Sequence, residues 1–188
     1  SQDVLPISKE TSQTAQSANE FESVLPALAN SRQSVLAFVS QYPFTVLLGD
    51  PGSGKTTFAD FLAACLAGER LELTEYNLVS LGPAWTQGNL VPIRVTLRDF
   101  VAMFGNGTIK SPDALLWLYL AQQIGEANRH LAMELQQHLD GETILLILDG
   151  LDEIPDAHAH RATIKAMIGS IRRRYANIRM VTTCRTYA

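Results

Sequence analysis

Lys55, Thr56, Asp149, Asp152 and Glu153 are the side chains whose types and spacing could do chemistry together. An ammonium, a hydroxyl and a set of carboxylates suit a phosphate chain held with a divalent cation. The first two sit in a stretch that reads Gly49-Asp50-Pro51-Gly52-Ser53-Gly54-Lys55-Thr56, followed by Thr57. It satisfies the pattern GxxxxGK[ST] in full. In such a loop the backbone N–H groups wrap phosphate oxygens, which only small residues allow at close range. A helix that starts at the loop directs its positive end at the same charge. Lys55 is expected to reach the β- and γ-phosphates, and Thr56 to place its hydroxyl on Mg²⁺. Thr57 supports the turn or contacts a phosphate. The pattern therefore implies a nucleotide site for ATP or ADP with Mg²⁺.

The carboxylates follow an uninterrupted apolar run, Ile144-Leu145-Leu146-Ile147-Leu148, which leads into Asp149-Gly150-Leu151-Asp152-Glu153. A run without alternation fits a strand buried on both faces, as in a parallel sheet. Ligands of such sheets bind beyond the carboxyl ends of the strands. Asp149, directly after the run, is placed to hold the metal. Asp152 and Glu153 lie just beyond, and either could orient or activate an attacking water. Of the two, Glu153 is the favoured base and Asp152 the electrostatic or structural partner.

These groups need elements to position them. Residues 44–48 are a short run of strand formers that leads into the glycine-rich loop. Residues 55–67 show apolar spacing of a helix, with Gly68 as its expected stop. Residues 91–97 alternate as a strand does, closed by Leu97 to Phe100. Asn106, Gly107 and Pro112 mark a loop, and residues 113–139 a long helix interrupted at Gly125. A helix over 157–174 ends in Arg172, Arg173 and Arg174, and 178–183 is the last strand. A further helix is expected over 20–40, with a break near Pro26. Alternating strands and helices imply a layered α/β domain with a mainly parallel sheet.

Composition narrows the class further. The chain has 188 residues, 46% hydrophobic, enough for one domain with a buried core. A net charge of -4 argues against a general nucleic-acid binder. The two cysteines, Cys65 and Cys184, make no disulfide framework and no CxxC pair, which suits a reducing, cytoplasmic setting. No apolar run approaches the roughly 18 residues of a membrane span. Residues 1–19 are rich in Ser, Gln and Thr and read as a mobile lead.

GDPGSGKTT, then ILLILDGLDEIPD, then VTTCR together resemble the NACHT family of STAND-class P-loop ATPases. Asp149 to Glu153 matches that family's D-G-x-D-E Walker B segment residue for residue. VPIRVTLRDF is similar to the segment between the Walker motifs in bacterial members. Thr183-Cys184-Arg185 resembles the sensor 1 element, with cysteine in the middle and Thr186 in place of a common proline as small departures. The resemblance implies a three-layer P-loop NTPase domain of AAA+/STAND type, in which Arg185 contacts the γ-phosphate region. It implies residues 1–36 as a flexible lead and helix, and 37–188 as a partial nucleotide-binding domain cut after the sensor 1 strand. Helical and winged-helix lid domains would lie outside this piece. The implied function is a switch that binds ATP, hydrolyses it slowly and self-associates on activation, in signalling or defence against phage.

Other readings share these motifs. A remodelling ATPase of AAA+ type would use the same acidic chemistry. A P-loop small-molecule kinase could use the helix at 113–139 to cover an acceptor, although the DGLDE strand end argues against it. No NKxD-like segment supports GTP. A binding-only scaffold conflicts with the presence of Lys55, Thr56, Asp149 and Glu153. His158 and His160 lack a third ligand and read as a solvated helix start, and His130 and His138 as surface positions. Trp117 and Tyr119 read as core, Cys65 as a buried small hydrophobe, and Arg172 to Arg174 as a solvated helix end.

Overall fold

The computed structural model describes residues 34–104, 112–139, 142–154, 157–175 and 177–186. Most of the helix expected over 20–40 lies outside this set, as do Asn106 and Gly107. Among the described residues four strands form the centre: β1 (Phe44–Leu48), β2 (Val91–Thr96), β3 (Ile144–Asp149) and β4 (Ile178–Cys184). They pair in the order β1-β4-β3-β2, and every pair is parallel. β3 is central and its six residues are all buried, as its unbroken apolar composition requires.

The helices cover both faces. On one lie α1 (Val35–Gln41), α2 (Lys55–Arg70) and the short α3 (Leu78–Leu81). Here Leu62, Cys65 and Leu66 of α2 pack on Leu145, Ile147 and Val181. On the other lie α4 (Leu97–Phe104), α5 (Pro112–Gln123), α6 (Arg129–His138) and α7 (Ala157–Arg174). Phe100, Leu116, Met167 and Tyr175 pack there on Ile144, Leu146 and Leu148. Successive residues of β3 thus point into two separate cores. Burying each such side chain contributes about 1.5–3 kcal/mol. Trp117 and Tyr119 lie in the second core. The Tyr119 hydroxyl also accepts from the Thr96 N–H at 3.2 Å, which pins α5 to the end of β2.

Sheet order decides where the site lies. β1 is followed by β2 at the opposite edge, and the chain then returns through β3 to β4 beside β1. Right-handed crossovers place the connections of the two journeys on opposite faces. The segments leaving β1 and β3 turn to opposite faces, to α2 and α7, and a crevice opens at the carboxyl ends of the strands. The glycine-rich loop follows β1 and the acidic segment follows β3.

Two boundaries, after β2 and at the end of α2, differ from the expected ones, and the break at Gly125 falls where it is expected. The segment 97–100 begins a full helix, α4, directly after β2 without a loop. The long helix splits at Gly125, which has φ 83°, into α5, a 3₁₀ turn (Glu126–Asn128) and α6. Gly68 does not stop α2, which continues two residues further. The glycine serves a close approach: a Cβ there would lie 1.9 Å from the Tyr76 carbonyl oxygen. The chain after α2 therefore folds tightly against the helix. Arg179 of β4 holds α1 in place, donating to the carbonyls of Val39 (3.0 Å) and Ser40 (2.7 Å). Burial lowers the Arg179 pKa from its ordinary value.

Gly68→Ala tests the close approach, because helix propensity alone predicts a gain of about 1 kcal/mol. Contact with Tyr76 predicts a loss of about 1–3 kcal/mol instead, read from a denaturant melt.

Candidate functional site

The loop after β1 is fixed by its own backbone. Gly54 takes φ 84°, a left-handed conformation, and begins α2 immediately afterwards. A side chain at that position would be strained. The Gly49 N–H continues the sheet ladder by donating to the Cys184 carbonyl at 3.3 Å. The Ser53 N–H donates to the Asp50 carbonyl at 3.1 Å and tightens the turn. Lys55 lies across the loop, and its ammonium donates to Gly49 O (2.6 Å), Asp50 O (3.0 Å) and Ser53 Oγ (3.2 Å).

The tips of β3 and β4 face the loop. Together they line a cleft of about 240 Å³ that includes Pro51 to Thr57, Asp149, Gly150, Asp152, Glu153, Thr183 and Arg185. Gly49 and Asp50 lie outside the lining and meet the site through their contacts with Lys55. Asp149 is buried at the floor. Its Oδ1 accepts from the hydroxyls of Thr183 (2.6 Å) and Thr56 (3.2 Å). Its Oδ2 lies 2.7 Å from the Arg94 guanidinium.

Asp152 and Glu153 occupy a 3₁₀ turn after Gly150 and have different surroundings. The Asp152 side chain is 7% exposed. Its Oδ1 accepts from the Arg185 N–H (2.9 Å), and its Oδ2 lies 2.8 Å from Arg185 Nε. Glu153 is 47% exposed, and its nearest approach to Arg185 is 4.0 Å. The structure therefore brings Lys55, Thr56, Asp149, Asp152, Glu153 and Arg185 to one cleft, and it distinguishes the two carboxylates of the turn.

Two further contributors emerge from the fold. Thr183 lies within the segment that resembles sensor 1. Its hydroxyl accepts from the Gly150 N–H (2.8 Å) while donating to Asp149. Arg94 belongs to the strand pattern of β2. Its signal in the sequence is a charged residue in an otherwise apolar alternation, and in the sheet it shares the face of Asp149. The bland features stay apart from the cleft. Cys65 is buried in the α2 core, and burial raises its pKa, against a smaller lowering by a backbone hydrogen bond at Asn77. It stays a neutral thiol at neutral pH. His130 is exposed, and the side chains of His138 and His158 lie outside the described set. Arg172 stacks over the Phe44 ring at 4.5 Å from its centroid.

A parallel sheet covered on both faces, with a glycine-rich loop at a strand tip, defines the P-loop NTPase class of α/β fold. Within that class, a NACHT domain family model matches residues 44–188, and the chain belongs to the NACHT family. No curated protein and no solved structure matches it. Membership carries a general nucleotide-binding and signalling role.

The Thr183 bridge can be tested separately. Thr183→Val keeps the shape but removes the donor to Asp149 and the acceptor for Gly150. A loss of about 1–3 kcal/mol is expected in a urea melt, from polar groups left unpaired. Unchanged stability would show that the bridge contributes nothing.

Proposed function

We propose that this domain binds ATP and ADP with Mg²⁺ in the cleft between Gly49–Thr57 and the tips of β3 and β4. The observation that carries this reading is the convergence of Thr56 on Asp149, 3.2 Å apart, beside a full phosphate loop. Among the described residues, no group of three or more His, Cys, Asp and Glu could hold a metal by itself. Mg²⁺ in such sites takes most of its ligands from phosphate oxygens and water, so one hydroxyl and one carboxylate suffice. Thr56 and Asp149 would hold it, and the ion would neutralise charge on the phosphates. Lys55 would exchange its loop oxygens for phosphate oxygens, and the loop N–H groups and the α2 N-terminus would receive the rest.

Within this reading the hydrolytic roles divide by environment. Asp152 is buried and held through both its oxygens, which suits a structural partner that fixes Arg185. Glu153 is exposed to the cleft and freer, which suits the group that orients or deprotonates water. Arg185 would face the γ-phosphate region. Turnover would be slow and regulatory, and the protein would act as a cytoplasmic switch that self-associates on activation. Family membership supports the switch, and resemblance to bacterial members supports a place in signalling or anti-phage defence. Among the described residues, no helix is long and apolar enough to cross a membrane.

Lys55→Ala should weaken ATP and ADP binding by about 10–100-fold, from the loss of charge-assisted hydrogen bonds to phosphate. Calorimetric titration reads this directly, and equal binding by both proteins would exclude the cleft. Glu153→Gln should keep nucleotide affinity within about threefold yet slow single-turnover hydrolysis by about 10²–10⁴-fold. Undiminished hydrolysis would remove Glu153 from the role.

A further inference from the structure

Arg94 stands behind the cleft, against Asp149, and the proposed chemistry does not use it. It is the only charged residue of β2, and it pairs in register with Ile147. Asp149 is two residues further along the same face of β3. The guanidinium approaches Asp149 Oδ2 at 2.7 Å. Its Nε lies 2.9 Å from Asp60 Oδ1, without the alignment of a hydrogen bond. Asp60 stands one turn after Thr56 on α2. Lys55 does not serve Asp149, because its ammonium is spent on the loop. Among the described residues, Arg94 is the cation that meets this carboxylate.

Both oxygens of Asp149 are engaged, one of them by a full positive charge. An unpaired Asp149 would repel a phosphate chain and attract a divalent cation, and both effects would make nucleotide binding depend strongly on the metal. A fixed guanidinium opposes both.

We propose that Arg94 is a built-in counter-cation for Asp149, a positioning residue that reduces how far nucleotide binding depends on Mg²⁺. The proposal rests on the reading that the cleft binds nucleotide. It assigns Arg94 no contact with the reacting atoms. A purely structural arginine would, when removed, lower stability and weaken binding equally with and without metal. A counter-cation changes the ratio of the two affinities.

The experiment measures ADP affinity of the full chain by calorimetry in excess Mg²⁺ and in EDTA. The proteins compared are the wild type, Arg94→Gln, Arg94→Lys, Asp60→Asn and Lys55→Ala. Arg94→Gln keeps a donor for Asp149 but loses the charge. It should raise the ratio of affinity with metal to affinity without by about tenfold, mostly through weaker binding in EDTA. Mg²⁺ alone should raise its melting temperature more than that of the wild type. Arg94→Lys keeps the charge and should keep the ratio within about threefold. Asp60→Asn, at an exposed position, leaves more of the Arg94 charge to Asp149 and should lower the ratio. A ratio unchanged in Arg94→Gln, or a ratio unchanged or raised in Asp60→Asn, overturns the proposal. If Lys55→Ala binds ADP as the wild type does, the cleft reading itself fails, and this inference with it. If Lys55→Ala loses binding while Arg94→Gln keeps the wild-type ratio, only the role of Arg94 is lost.

Discussion

A buried carboxylate must be satisfied on every side, and Asp149 organises this structure through that requirement. Its hydrogen-bond and ionic partners come from α2, β2 and β4, while its own backbone belongs to β3. Thr183 reaches it across one neighbouring strand and Arg94 across the other. Thr56 reaches it from the start of the helix that follows the phosphate loop. The three segments are far apart in the chain, and this common acceptor adds a polar tie to the strand ladders and the apolar core that align them. Any shift in the register of β2 or β4 against β3 would leave the carboxylate with an unmet lone pair.

The charge problem is solved locally rather than by solvent. Asp149, Asp152 and Glu153 lie within five residues, and three carboxylates at one strand end repel each other. The structure separates their fates. Asp149 is neutralised by Arg94 on the sheet side, and Asp152 by Arg185 at the tip of β4. Glu153 is left in the cleft, with only a distant approach to Arg185. Among these three carboxylates each cation makes its close contact with one, and the cleft keeps one acidic group that is not consumed by structure.

The sequence carried the fold far because its strong signals are local. The unbroken run at 144–148, bounded by turn residues, fits a strand covered on both faces, and GDPGSGKTT after the run at 44–48 specifies a turn and a helix start in consecutive residues. Gly125 announced its break because nothing else in that stretch could take a left-handed conformation so cheaply. Other features are legible only in three dimensions. Gly68 reads as a helix stop in one dimension but proves to be a contact with Tyr76. Leu97 to Phe100 reads as the end of a strand because its helical pattern starts with no intervening turn signal. Arg94 and Thr183 matter through partners 55 and 34 residues away, and no local pattern encodes those pairings. The split between Asp152 and Glu153 likewise depends on which one meets Arg185.

The tight seat of Gly68 has a mechanical meaning. Helix α2 spans 16 residues, or about 24 Å at the usual rise of 1.5 Å per residue. One end is fixed to the phosphate loop at Gly54, and near the other the Tyr76 backbone leaves no room even for a methyl group. Arg70 adds an ion pair to Glu142, just ahead of β3, at 3.1 Å. A rod held at both ends cannot absorb a displacement by rolling or sliding in its groove. Motion imposed at the loop is then carried along the helix toward the start of β3, where Glu142 lies. The helix is a strut, and the glycine is the joint that takes out its slack.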